Sequence, residues 1–155
     1  MKTLLVYFSW SGNTKHIVDG LNKEFNFDTI KIERKIPYSS NYNTCAYVEA
    51  NEEWKKKILP EINDINIEIS EYSRILLFFP IWWYTIPMCV ATFVKNNLKG
   101  FDKEVIVFAN SYTNDSIYMS NSMKDIAKLN PSLKLVEGLF NKPIKEHIEF
   151  IKEAK

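Results

Sequence analysis

A chain of 155 residues with 46% hydrophobic side chains is long enough for one packed domain and too apolar to be disordered. Its net charge of +1, with neither half strongly charged, leaves no electrostatic footprint for nucleic acid or an anionic membrane as a partner. The two cysteines, Cys45 and Cys89, lie far apart and fit no metal-binding or CxxC pattern. They read as buried free thiols of a reducing, cytoplasmic compartment.

The apolar run Leu4 to Phe8 is too short for a secretory signal and reads as a first strand. Thr14 to Phe25 follows as a helix, with Ile17, Val18, Leu21 and Phe25 on one face. Thr29 to Glu33 alternates apolar and polar residues, the pattern of an edge-like strand. A long polar stretch comes next, and its middle, roughly Asn43 to Ile58, is predicted as a helix. In that helix Trp54 is expected to anchor in the core. Glu52, Glu53 and Lys55 to Lys57 are expected to form a solvated face.

The segment Ile75 to Val94 carries no charge over a length that could span a bilayer. Pro80 and Pro87 would break such a helix twice, and Trp82 and Trp83 sit in its middle rather than at its ends. Strand, loop and helix are predicted there instead, with Ile75 to Phe79 buried on both faces and Pro87 opening the helix. Val105 to Ala109 is a further buried strand, and Asn110 to Asp115 a polar loop. Ser120 to Leu129 is a helix, with Met119, Met123, Ile126 and Ala127 facing inward. Leu133 to Val136 is the last strand, and Pro143 to Lys152 the closing helix.

Five strands alternating with five helices, and strands apolar on both faces, imply an α/β domain over 1–155 whose parallel sheet is covered on both sides. Ligands of such sheets bind beyond the carboxyl ends of the strands. Three loops therefore matter: SWSGNT, PIWWYTIP and NSYTND.

The first is neither GxxxxGK[ST] nor GxGxxG, which argues against a nucleotide P-loop and a dinucleotide fingerprint. No arginine stands six positions after either cysteine, so a cysteine-phosphatase loop is missing. A phospho-accepting receiver domain lacks its acidic pair after the first strand. What remains is a turn of Ser9, Ser11, Gly12, Asn13 and Thr14 at a helix N-terminus. Free amides and the helix dipole favour an anion there, with Lys15 at longer range. Capping by Ser11 or Thr14 explains one hydroxyl; the others point to a phosphate monoester. The second loop offers Trp82, Trp83 and Tyr84, of which at least one should present a flat face to a planar ligand. A flat heterocycle with a phosphate tail fits both loops, and flavin mononucleotide (FMN) has that shape.

YFSWSGNTK, FPIWWYTIP and the order of strands and helices together resemble the flavodoxin family, especially its small bacterial branch, over essentially the whole chain. The resemblance implies a three-layer fold, a five-stranded parallel sheet of order 2-1-3-4-5 and a non-covalent FMN. Ser9, Ser11, Gly12, Asn13 and Thr14 would hold the phosphate. Pro80, Ile81, Trp82, Trp83 and Tyr84 would border the ring, and Asn110, Ser111, Tyr112 and Asp115 would close its other edge. Three departures stand out. The third loop has no glycine, and Tyr112 either stacks on the ring or crowds it. Tyr84 stands where relatives often have glycine. The net charge also lacks the acidity typical of flavodoxin carriers.

The expected function is electron transfer through the flavin, with a redox partner protein or a small electron donor or acceptor. The alternative is a reductase passing hydride from NAD(P)H to a quinone or similar acceptor. A cofactor-free interaction module ranks last. No residue is expected to be catalytic in its own right and no metal is expected. His16 and His147 are isolated in sequence, and His16 reads as a solvent-facing helix residue.

Overall fold

Alternation along the central strands sorts their side chains onto two apolar faces, and each face needs a covering layer. In the computed structural model, which describes residues 2–154, the strands are β1 (Thr3–Tyr7), β2 (Asp28–Lys31), β3 (Arg74–Pro80), β4 (Glu104–Asn110) and β5 (Lys134–Phe140). They form one sheet of order β2-β1-β3-β4-β5, and every pairing is parallel. Leu4, Val6, Ile75, Leu77 and Val105 face α3 (Met88–Asn96) and α4 (Ile117–Leu129). Leu5, Leu76, Phe78, Ile106 and Phe108 face α1 (Asn13–Phe25) and α5 (Ile144–Glu153). This is the three-layer α/β fold expected from the sequence. Ile75 to Val94 divides into strand, loop and helix, and among the described residues no helix is long and apolar enough to cross a membrane.

The predicted elements differ most from the observed ones in the helix before β3, in β5 and in α4, and the strand expected over Thr29 to Glu33 is observed as Asp28–Lys31. The helix expected over Asn43 to Ile58 is a π-helical segment, Thr44–Ala50, running into a short α2 (Asn51–Lys56). Lys57 ends it in the left-handed region at φ 54°. β5 extends four residues beyond Val136, and Gly138, which interrupts the apolar pattern of the sequence, lies where β4 and β5 slip register. A Cβ at Gly138 would lie 2.7 Å from the Val107 carbonyl oxygen and 2.8 Å from the Phe108 ring, so only glycine fits against that irregularity. α4 begins at Ile117 rather than Ser120. On α4, Ala127 is exposed rather than inward, and Ser122 is buried with its hydroxyl donating to the Tyr118 carbonyl at 2.8 Å.

The chain leaves β1 to one side for β2 and crosses to the other side for β3. The carboxyl ends of β1 and β3 therefore flank the point where strand order reverses. The loops after β1, β3 and β4 open together at that end.

Candidate functional site

The loop after β1 turns into α1 through Gly12 at φ 98°. A Cβ there would meet nothing within 4 Å, so the backbone conformation, not space, calls for glycine. The capping hydroxyl is Ser9, whose Oγ accepts the Lys15 amide at 3.2 Å; it is neither Ser11 nor Thr14. Thr14 is buried, and its hydroxyl donates to Asn110 Oδ1 at 2.7 Å, tying the first loop to the end of β4. Among the described residues, the amides of Asn13 and Thr14 have no protein acceptor. Lys15 pairs with Asp19 on the helix surface at 2.7 Å, and His16 is exposed.

The loop after β3 makes a two-residue turn. The Trp82 amide donates to the Thr85 carbonyl at 2.9 Å, with the return bond at 3.4 Å. Trp83 (φ 48°) and Tyr84 (φ 73°) occupy its centre, both in the left-handed region that usually takes glycine or asparagine. The three aromatics diverge. Trp82 turns inward, edge-on to Phe8 at 5.1 Å and to Tyr38 at 5.0 Å. Trp83 donates from its indole to the Ala46 carbonyl at 2.7 Å and stacks on Trp54 at 5.6 Å with a 16° tilt. Tyr84 is half exposed, its carbonyl held by Asn121 Nδ2 at 3.0 Å. Trp54 is thus not a core anchor; it is half-buried and braces the turn.

The loop after β4 is anchored from the end of β5. Asn141 (φ 54°) accepts the Ser111 amide on Oδ1 at 2.6 Å, and its own amide donates to the Ala109 carbonyl at 3.0 Å. Tyr112 is 87% exposed.

A cavity of about 610 Å³ lies among these loops. Ser11 and Asn13 line it from the first loop, and Pro80, Ile81, Trp82, Trp83 and Tyr84 from the second. Asn110, Ser111 and Tyr112 line it from the third. Ser9, Gly12 and Thr14 are not among its lining residues; Ser9 and Thr14 hydrogen-bond the turn in place, and Gly12 supplies its left-handed backbone. Asp115 is not among the lining residues. Its Oδ1 accepts the Ile117 amide at 3.1 Å and starts α4, while Thr113 and Tyr118 line the cavity in this region.

A fourth wall comes mainly from a segment whose place the sequence leaves undecided. Trp10 and Ile17 contribute to it, but most comes from the segment between β2 and β3: Tyr42, Cys45, Ala46, Tyr47 and Ala50. The wider turn of the π-helix carries the last four. The available signal was Tyr38 and Tyr42 preceding a helix, which does not say where that helix docks. It docks through a buried clamp. Arg34 donates to Glu53 at 2.9 Å and to Glu49 at 3.2 Å, and its guanidinium lies 4.0 Å from the Tyr38 ring centre. Tyr38 donates to Glu53 Oε1 at 2.6 Å. Glu53 is therefore buried, not part of a solvated face. Burial holds its carboxyl above the usual carboxylate range, against the opposing pull of Tyr38 and Arg34.

None of the described residues lining the cavity carries a formally charged side chain. Burial pushes the Cys45 thiol up to about 12, so it stays protonated at neutral pH. Both cysteines are free and buried. Among the described residues no cluster of His, Cys, Asp and Glu is placed to hold a metal ion.

A family model described as Flavodoxin matches residues 2–152, and the chain belongs to the flavodoxin family. A candidate flavoprotein of known structure from Bacteroides eggerthii is 30% identical; the match covers 99% of this chain and 96% of that one, with a TM-score of 0.78. A flavoprotein from Lactobacillus acidophilus, solved in complex with FMN, is 20% identical over 97% of this chain and 98% of its own, also with a TM-score of 0.78. A curated relative, the uncharacterized NAD(P)H oxidoreductase YcaK of Escherichia coli (strain K12), is 24% identical over 102 residues, or 61% of this chain. The match spans about half of that relative's length, 52%.

Proposed function

We propose that this chain is a single-domain FMN-binding protein that transfers electrons through the bound flavin in the cytoplasm. The observation that carries the reading is the composition of the cavity at the carboxyl ends of β1, β3 and β4. Free helix amides and hydroxyls line one end, and flat aromatic side chains border the rest. The residues fit the group. The amides of Asn13 and Thr14, at the positive end of the α1 dipole, suit a phosphate, with Ser11 beside them. Ile81, Trp83 and Asn110 offer apolar and hydrogen-bonding walls for a heterocycle.

When bound, FMN supplies the electron-accepting and electron-donating chemistry. The chain's own residues bind and orient. Thr14 and Asn110 lock two of the loops together, and Asn141 fixes the third loop from behind. The clamp of Arg34, Glu49 and Glu53 holds the fourth wall in place. Among the described residues no carboxylate or imidazole lines the cavity, in keeping with chemistry supplied by the flavin rather than by a protein acid or base.

The second reading is an NAD(P)H-dependent reductase, favoured by the likeness to the curated relative. Mixing the FMN-loaded protein with NADH or NADPH and following the loss of nicotinamide absorbance separates the two. A carrier leaves the absorbance unchanged without an added reductase, whereas steady oxidation with turnover establishes the enzyme.

A further inference from the structure

Trp83 (φ 48°) and Tyr84 (φ 73°) are successive residues in the left-handed region, and both line the cavity. For bulky side chains that conformation is strained, and it persists only where the surroundings enforce it. In a hairpin the flanking ladder helps to enforce it. Here the ladder is a single isolated pairing, Trp82 with Thr85, and its return bond is long at 3.4 Å. The turn therefore needs holding from outside.

Helix α4 supplies the hold. Tyr118, Asn121 and Asp125 follow one another at helical spacing, so they share one face of α4. All three meet the turn. The Tyr118 ring lies 6.1 Å from the Tyr84 ring. Asn121 Nδ2 donates to the Tyr84 carbonyl at 3.0 Å. Thr85 is buried, and its hydroxyl donates to Asp125 Oδ2 in a short bond. Asn121 thus fixes the direction of the peptide after Tyr84, and Asp125 fixes the residue that closes the turn. On the other side, Trp83 is held by the Ala46 carbonyl and by Trp54. Asn121 and Asp125 are not among the cavity's lining residues, so they reach it only through the turn.

We propose that Asn121 and Asp125 are positioning residues for the flavin ring. They keep Trp83 and Tyr84 in the left-handed turn that borders the ring, and α4 thereby sets the shape of that wall. The role rests on the reading that FMN occupies the cavity. Each residue acts through its own chemistry. Asn121→Asp keeps the size of the side chain but loses the donor, whereas Asp125→Asn loses the charge but keeps an acceptor oxygen for Thr85.

The test compares the unmodified protein with its variants, all free of cofactor and checked for folding by thermal unfolding. Each is titrated with FMN by fluorescence quenching, and the visible circular dichroism of the loaded protein is recorded. A planar ring owes that signal to its surroundings, so the signal reports the wall rather than the stability of the fold. Asn121→Asp and Asp125→Ala are expected to raise the FMN Kd about five- to tenfold and to change the dichroism, while Asp125→Asn stays within about twofold of the unmodified protein. The strain supplies a second comparison. Glycine adopts the left-handed region freely, so in Tyr84→Gly the turn no longer depends on Asn121. Adding Asn121→Asp to Tyr84→Gly is then expected to raise the Kd by less than about twofold. A folded Asn121→Asp protein with unchanged Kd and dichroism overturns the role, and so does an equal penalty in the Tyr84→Gly background. Asp125→Asn binding as poorly as Asp125→Ala overturns the part given to Asp125; should Asp125→Ala fail to fold, the Asn121 variants decide. Absence of FMN binding by the unmodified protein overturns the functional reading itself, a result distinct from every comparison among variants.

Discussion

Arg34 Nη1 donates to Glu53 Oε2 at 2.9 Å beneath the fourth wall of the cavity, and Nη2 reaches Glu49 at 3.2 Å one turn away. The Glu53 side chain is 7% exposed and that of Arg34 is 15%. Removing the cation leaves a buried carboxylate without its partner. Arg34→Ala is expected to destabilise the protein by about 3–5 kcal/mol, and Arg34→Lys to recover only part of this because an ammonium cannot fork to two carboxylates. Urea unfolding of the three proteins checks the ranking.

His147 titrates in the other core layer. It is 2% exposed, packed 5.7 Å from the Phe78 ring and 5.5 Å from the Phe108 ring, with Nε2 on the Lys142 carbonyl and Nδ1 without a partner among the described residues. Burial lowers its pKa below the ordinary 6.5. The unfolded chain therefore takes up a proton that the folded one resists, and stability falls as pH drops from the unfolded value through the folded one. Unfolding free energies measured between about pH 7.5 and about pH 5 should show this loss, and His147→Gln should flatten that part of the slope.

Gly12 and Gly138 should fail differently when changed to alanine. At Gly12 there is room for a Cβ but the φ of 98° is wrong for it, so Gly12→Ala costs about 1–2 kcal/mol of backbone strain and tilts the amides at the start of α1. At Gly138 the Cβ would overlap the Val107 carbonyl and the Phe108 ring, so Gly138→Ala costs about 1–3 kcal/mol by overpacking. Thermal unfolding measures both losses. FMN affinity should drop disproportionately in the Gly12 variant, because only that residue sits at the helix terminus facing the cavity.

Thr14→Val removes the hydroxyl that donates to Asn110 Oδ1 while keeping the side-chain shape. A loss of about 1–2 kcal/mol is expected, together with weaker FMN binding as the first and third loops lose their tie. Unfolding and FMN titration on the same preparation distinguish the two effects.

Most of the fold was readable because parallel strands buried on both faces, such as Ile75 to Phe79, are continuous apolar runs, and the helices between them keep a clear period. The three loops were readable because unusual chemistry at strand ends, hydroxyls in one and tryptophans in another, stands out against ordinary connections. The fourth wall was not. Its position depends on Arg34 meeting residues fifteen and nineteen places onward, and on Trp83 meeting Ala46. Such long-range pairings leave no local pattern, and Glu53 among lysines looks solvated until Arg34 is seen beside it. Asp115 shows a second reason: a carboxylate in a polar loop is as useful for starting a helix as for meeting a ligand, and its Oδ1 accepts the Ile117 amide. Gly138 hid the second half of β5 because a glycine in a strand reads as its end.

The central claim is that the cavity holds a flavin by its ring and its phosphate together. The most direct test is titration of the cofactor-free protein with FMN, followed by quenching of flavin fluorescence, with riboflavin as the phosphate-free control. Saturable, tight quenching by FMN and much weaker quenching by riboflavin are expected. No quenching by FMN would contradict the account, leaving the turn from Ser9 to Thr14 as helix capping and loop anchoring alone.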